Sequence, residues 1–170
     1  MKKTSFLCAL VLISTLTFSS CFSLFSRPSS QQTFKANVSE LSVDESAIVL
    51  FDNAGTATIL LKKWNTVDIG ESLYGSGTVA INHNTKAEFT VPPGDNSFTF
   101  DIFFQFGNTT YEKRNIELQY SLAAGTKYIV KPRTNTIKTG TLTSQLEFLI
   151  GIYLEEDKSE PLKEWKLGES

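Results

Sequence analysis

In residues 97–106 every second side chain is large and apolar. Phe98, Phe100, Ile102, Phe104 and Phe106 alternate with Ser97, Thr99, Asp101, Phe103 and Gln105. A period of two sends alternate side chains to opposite faces of an extended chain, so this segment reads as a strand with one face for a core. A helix would scatter the same phenylalanines around its circumference. The pattern recurs twice. Ile116, Leu118, Tyr120 and Leu122 alternate with Glu117, Gln119 and Ser121. Leu146, Phe148, Ile150, Ile152 and Leu154 alternate with Glu147, Leu149, Gly151, Tyr153 and Glu155. Shorter strands fit 47–51, 56–63, 78–82, 86–91 and 127–131. Turn-forming runs separate them: Asp52-Asn53-Ala54-Gly55, Asn82-His83-Asn84-Thr85, Pro92-Pro93-Gly94-Asp95-Asn96, Gly107-Asn108 and Ala124-Gly125. Seven or eight short strands at this spacing predict an all-β domain over 46–155, an antiparallel sandwich or barrel, and a single antiparallel β-sandwich is the expected one.

The chain ahead of this domain reads as an address. Lys2 and Lys3 precede a thirteen-residue apolar or small run, Phe6 to Phe18, with no charge in it. A spanning helix needs about 20 residues, so the run is the apolar part of a signal peptide, residues 1–20. The closing Phe18-Ser19-Ser20-Cys21 resembles the lipobox of bacterial lipoproteins, with Phe18 where Leu is usual, a relaxed form that occurs in spirochaetes. The resemblance implies a diacylglycerol on the Cys21 sulfur, cleavage before Cys21 and acylation of the new amine. An ordinary secretory signal cut near Ser19-Ser20 would instead leave Cys21 a free thiol. Each buried CH₂ contributes about 0.8 kcal/mol, and two or three acyl chains hold a protein on a membrane where one holds it marginally. Cys8 leaves with the signal, so the mature chain of 150 residues has no cysteine pair for an intrachain disulfide.

Residues 21–45 are rich in Ser, Gln and Asn and read as the lipidated Cys followed by a flexible tether. Residues 156–170 read as an acidic tail. A short helix over Ser159-Glu160-Pro161-Leu162-Lys163-Glu164-Trp165, with Leu162 and Trp165 toward the body, is the alternative. The whole chain balances 16 Lys and Arg against 18 Asp and Glu with no basic block, which argues against nucleic acid as a partner.

Val91-Pro92-Pro93-Gly94-Asp95-Asn96-Ser97-Phe98 resembles the V-P-P-G-x-H/Y turn of small bacterial β-sandwich modules, among them PEGA-type surface domains and lipoprotein domains of unknown function. Gly125-Thr126-Lys127-Tyr128 resembles their later Gly-Lys/Thr-Tyr element. Asp95 and Asn96 stand where those modules carry a His or Tyr. The resemblance spans residues 46–155 and implies an envelope lipoprotein with no enzymatic residues to carry over.

Candidate sites are few. His83, the one histidine, reads as a hairpin-tip residue between two asparagines rather than a general base, and alone it cannot build a zinc site. Asp52, Asp68, Glu71, Asp95 and Asp101 lack the D-x-D-x-D-G spacing of a calcium loop and read as solvated acids. Gly70, Gly75 and Gly77 lack the Gly-Lys-Ser/Thr ending of a phosphate loop. Trp64 reads as a strand-end packing residue. Tyr74 and Tyr111 are the contact aromatics of two candidate binding loops. Phe103, Leu149 and Tyr153 fall on outer faces and would form an exposed apolar patch if their strands were neighbours, or else lie covered by the tether or by Trp165. Neither a cofactor nor an enzymatic activity is expected. The expectation is a non-enzymatic binding or structural module of the bacterial envelope. Acylated Cys21 would tie it to a lipid bilayer, the outer membrane in preference to the inner, with another envelope protein as partner. The alternative is a module that binds a small apolar ligand or a glycan.

Overall fold

The computed structural model describes residues 32–55, 57–69, 79–82, 85–140 and 144–168. The described residues form eleven strands: β1 (Gln32–Asn37), β2 (Ala47–Phe51), β3 (Ala57–Trp64), β4 (Val67–Asp68), β5 (Val79–Ile81), β6 (Thr85–Val91), β7 (Gly94–Phe106), β8 (Thr109–Leu122), β9 (Lys127–Lys138), β10 (Ser144–Leu154) and β11 (Lys163–Lys166). The fold is all-β, in two sheets that do not close into a barrel. One sheet has the order β1-β6-β2-β9-β10-β11; the other runs β4-β3-β7-β8, with β5 also paired to β3. The expected strands are there, and the three long ones start earlier or run further than the alternation alone marked.

The second sheet is antiparallel throughout. The first is mixed, because β1 lies parallel to β6 and β2 parallel to β9. The expectation of a purely antiparallel arrangement is thereby corrected. The cause is the connections: the chain changes sheet at the corners after β2, β5, β6 and β8, so β1 meets β6 and β2 meets β9 without a hairpin between them. The Asn82–Thr85 turn is one such corner, not a hairpin between neighbours, and Pro92-Pro93 is another.

The inner faces share one core. Phe51 and Phe89 of the first sheet meet Phe98 and Phe100 of the second, with ring centroids 5.0 Å (Phe51–Phe98), 5.7 Å (Phe89–Phe98) and 6.2 Å (Phe51–Phe100) apart. Burying each such side chain contributes about 1.5–3 kcal/mol. Of the β7 wall read from the sequence, Phe98, Phe100, Ile102 and Phe104 are buried. Phe106 is 40% exposed, since β7 runs two residues past the Ala57↔Phe104 pair where β3 begins.

Two segments depart from their sequence reading. Within the expected tether, β1 pairs along the open edge of β6 from Gln32↔Thr85 to Asn37↔Thr90. Backbone pairing to a free edge requires no apolar alternation, so the polar composition concealed it. Ala36 and Val38 nevertheless pack against the core. The expected tail or short helix contains β11, which lies antiparallel on β10. Trp165 and Leu167, two apart, turn inward together, and Leu167 is buried. That spacing competes with the helical Leu162–Trp165 pair, and the unpaired edge of β10 decides in favour of the strand.

The registers fix the two ends of the body. At one end, called here the Gln32 end, lie the start of β1, the corner 52–55, the β7–β8 turn, the far part of the β9–β10 hairpin and Leu167-Gly168. At the other, the Gly94 end, lie the segment 38–46, the Pro92-Pro93 corner, the 123–126 corner and residues 155–162.

Candidate functional site

At the Gln32 end a second aromatic cluster joins the two sheets. Tyr111 enters β8 just after the Gly107-Asn108 turn, and Phe148 lies on the inner face of β10. Their rings stack at 3.9 Å with 9° between the planes. Phe104 and Phe106 approach Phe148 at 4.7 and 5.8 Å. The Tyr111 hydroxyl donates toward the carbonyls of Leu167 (2.8 Å) and Gly168 (2.9 Å), which ties the end of β11 to the opposite sheet.

Tyr111 and Phe148 floor an open groove of about 580 Å³, lined also by Ile137, Leu146 and Lys166. Ile137 and Leu146 are each 42% exposed. On its rim Lys166 pairs with Glu147 at 2.5 Å. The hydrogen bond from Lys166 chiefly, with the charges of Lys166 and Arg133, holds the Glu147 carboxyl below the usual carboxylate range against the opposing effect of burial. An aromatic floor with aliphatic walls and a paired charge at the rim suits an apolar or amphiphilic guest.

The sequence-derived contact residues divide. Tyr111 lies in the groove. Tyr74 lies outside the described residues, as do Cys21 and His83. Phe103 is half-buried on β7, while Leu149 and Tyr153 are buried on β10. Because β7 and β10 belong to different sheets, these three form no common patch. The sequence reading correctly put Leu149 and Tyr153 on the outer face of their strand, and the structure corrects their exposure. The Lys131 ammonium sits 4.2 Å from the centroid of the Tyr153 ring, and that ring lies across Gly151, whose missing side chain leaves room for it. Close by, Arg133 grips Glu164 of β11 through two hydrogen bonds of 2.5 and 2.8 Å. Burial raises the Tyr153 hydroxyl above its ordinary pKa.

Three of the acids considered for calcium meet lysines instead, and Glu71 lies outside the described residues. Asp52 pairs with Lys86 at 2.6 Å, Asp101 with Lys62 at 2.7 Å, and Asp68 with Lys63 at 3.6 Å. Among the described residues no three acids, histidines or cysteines gather as a metal site.

Sequence reasoning missed Phe106, Ile137, Leu146 and Phe148 as site residues. Phe106, Leu146 and Phe148 sat in the expected core faces, and Ile137 lay past the expected end of its strand. The available signal was positional: apolar residues carried on strand ends beyond the reach of the facing strands have nothing to pack against. Set against protein-family models, curated proteins and solved structures, the chain matches none.

Proposed function

We propose that this chain is a lipid-anchored protein of the bacterial cell envelope. Its body, in this reading, is a β-sandwich of the Ig-like or PEGA-like kind that serves as a non-enzymatic binding or structural module. One observation carries the reading. The first described strand begins at Gln32, with only ten residues between it and the lipobox cysteine, so a lipid on Cys21 would keep that strand within reach of the bilayer. Residues Phe22-Ser23 after the cysteine favour the outer membrane, because they lack the Asp that retains many lipoproteins at the inner one. The partner is another envelope protein. Labelled palmitate should enter the wild-type protein and fail to enter Cys21→Ala, which should also leave the membrane fraction. Equal labelling of both overturns the reading.

The groove at the Gln32 end favours a second reading, an apolar-ligand module. Saturable binding of a fluorescent fatty acid, weakened by Leu146→Glu, is the result that would mark it.

A further inference from the structure

We infer that the Gln32 end of the body docks onto the lipid surface itself, with Ile137, Leu146 and Phe106 in the interface; this rests on the anchor reading. Three observations on separate elements point there.

The first is reach. Ten residues separate Cys21 from Gln32. Such a linker spans at most about 40 Å. The body is long: β7 alone has 13 residues, about 43 Å at 3.3 Å each. A linker of ten residues is therefore shorter than the body even at full stretch, which leaves the Gln32 end the nearer one to a lipid on Cys21.

The second is chemistry at that end. Beyond the Phe51↔Val130 pair β2 stops, and β9 continues with β10 as a projecting arm. The register puts Leu146 and Ile137 on opposite faces of this arm, and both are 42% exposed. Phe106, 40% exposed, stands beside them against Phe148. Three exposed apolar side chains gathered at this end suit immersion in an interface. The Gly94 end also exposes Leu41, Val43, Val67 and Leu162, but these are spread over three separate segments.

The third is charge. Asp52 and Glu147 at the Gln32 end are held by Lys86 and Lys166. The segments at the Gly94 end, 38–46, Asp95 and 155–162, carry eight acids against Lys158, and Lys127 there pairs with Glu155 at 3.8 Å. Anionic lipid repels that end and leaves the other indifferent.

The test uses the full acylated chain in vesicles of phosphatidylcholine and phosphatidylglycerol, some carrying doxyl-labelled lipid. An environment-sensitive fluorophore is placed on Thr139→Cys at the arm or on Glu156→Cys at the opposite end. Cys21 is blocked by its lipid, so each added thiol is the labelling site. The Thr139 probe should be quenched at least threefold more than the Glu156 probe. Ile137→Asp with Leu146→Asp should abolish the difference while the chain stays on the vesicles. Equal quenching of a vesicle-bound chain overturns the inference and leaves the anchor standing. A Thr139 probe that lipid cannot quench but that native envelopes shield assigns this end to a protein partner and also overturns it. Failure of palmitate labelling removes the anchor, and this inference with it.

Discussion

Asn96 shows how much one side chain can organise. It is 4% exposed. Its carbonyl accepts the Trp64 indole N–H at 2.8 Å, and its amide donates to the carbonyls of Pro92 (2.9 Å) and Gly94 (3.0 Å). Pro92-Pro93 supplies the fixed φ of the corner. Gly94, at φ +99°, supplies a conformation that side chains disfavour. Asn96 then locks the corner to β3 at the body's Gly94 end. Asn96→Ala strands an indole N–H and two carbonyls, and should cost about 1–3 kcal/mol. Each kcal/mol should appear as a melting point lower by about 2–4 °C, together with a changed near-ultraviolet dichroism of Trp64. An unchanged melt would show that water replaces the amide without loss. The turn itself was readable from its prolines and glycine. The role of Asn96 was not, because its partner Trp64 lies 32 residues away and only the fold brings them together.

The strands were legible from period two, but the irregularities between them were not. Lys62 is an extra residue in β3, between the Leu61↔Phe100 and Lys63↔Thr99 pairs. Arg114 and Asn115 together oppose Asp101 between the Phe100↔Ile116 and Ile102↔Lys113 pairs, and Asn115 takes φ +53°. One network spans both bulges. Asp101 pairs with Lys62, accepts the Asn115 backbone N–H at 2.8 Å, and Lys62 donates to the Asn115 side chain at 3.0 Å. Burial opposes ionisation of Asp101. The hydrogen bonds from Lys62 and Asn115 and the charges of Lys62 and Arg114 outweigh it, and its pKa falls below the ordinary carboxylate value. A lowered folded pKa gives stability that is present above the unfolded value of about 4 and lost as pH falls through the folded one. Asp101→Asn should therefore cost about 1–3 kcal/mol at pH 7, and the gap from wild type should narrow as denaturant melts are repeated down to pH 3. A gap independent of pH would mean that Asp101 acts through shape alone. Period two also assigns a face without assigning a sheet, which is why Phe103, Leu149 and Tyr153 could be put outward from the sequence but not apart from one another.

At the scale of the molecule, both outer strands of the larger sheet come from segments whose composition reads as linker and tail. β1 covers the β6 edge, and β11 covers the β10 edge while closing against β8. Lys163 reaches the Gln119 carbonyl at 3.5 Å, and Tyr111 holds the Leu167 and Gly168 carbonyls. Edge pairing uses backbone groups that every residue carries, so side-chain pattern could reveal the body and not its borders. A chain stopped after Leu162 tests this. It loses the burial of Leu167, the packing of Trp165, the Arg133–Glu164 grip and the ladder of β10 onto β11. The expected loss is about 3–5 kcal/mol from burial and hydrogen bonds together. A second effect separates a border strand from a loose tail. The uncovered β10 edge presents an open row of donors and acceptors flanked by Ile150 and Ile152, a template for another chain. The truncated protein should sediment as dimers and larger species where the full chain does not. Tyr111→Phe, which keeps β11 but removes its clasp, should cost about 1 kcal/mol without association. If the truncated chain melts with the full one and stays single, β11 contributes nothing to the border, and the acidic tail read from the sequence is the better description.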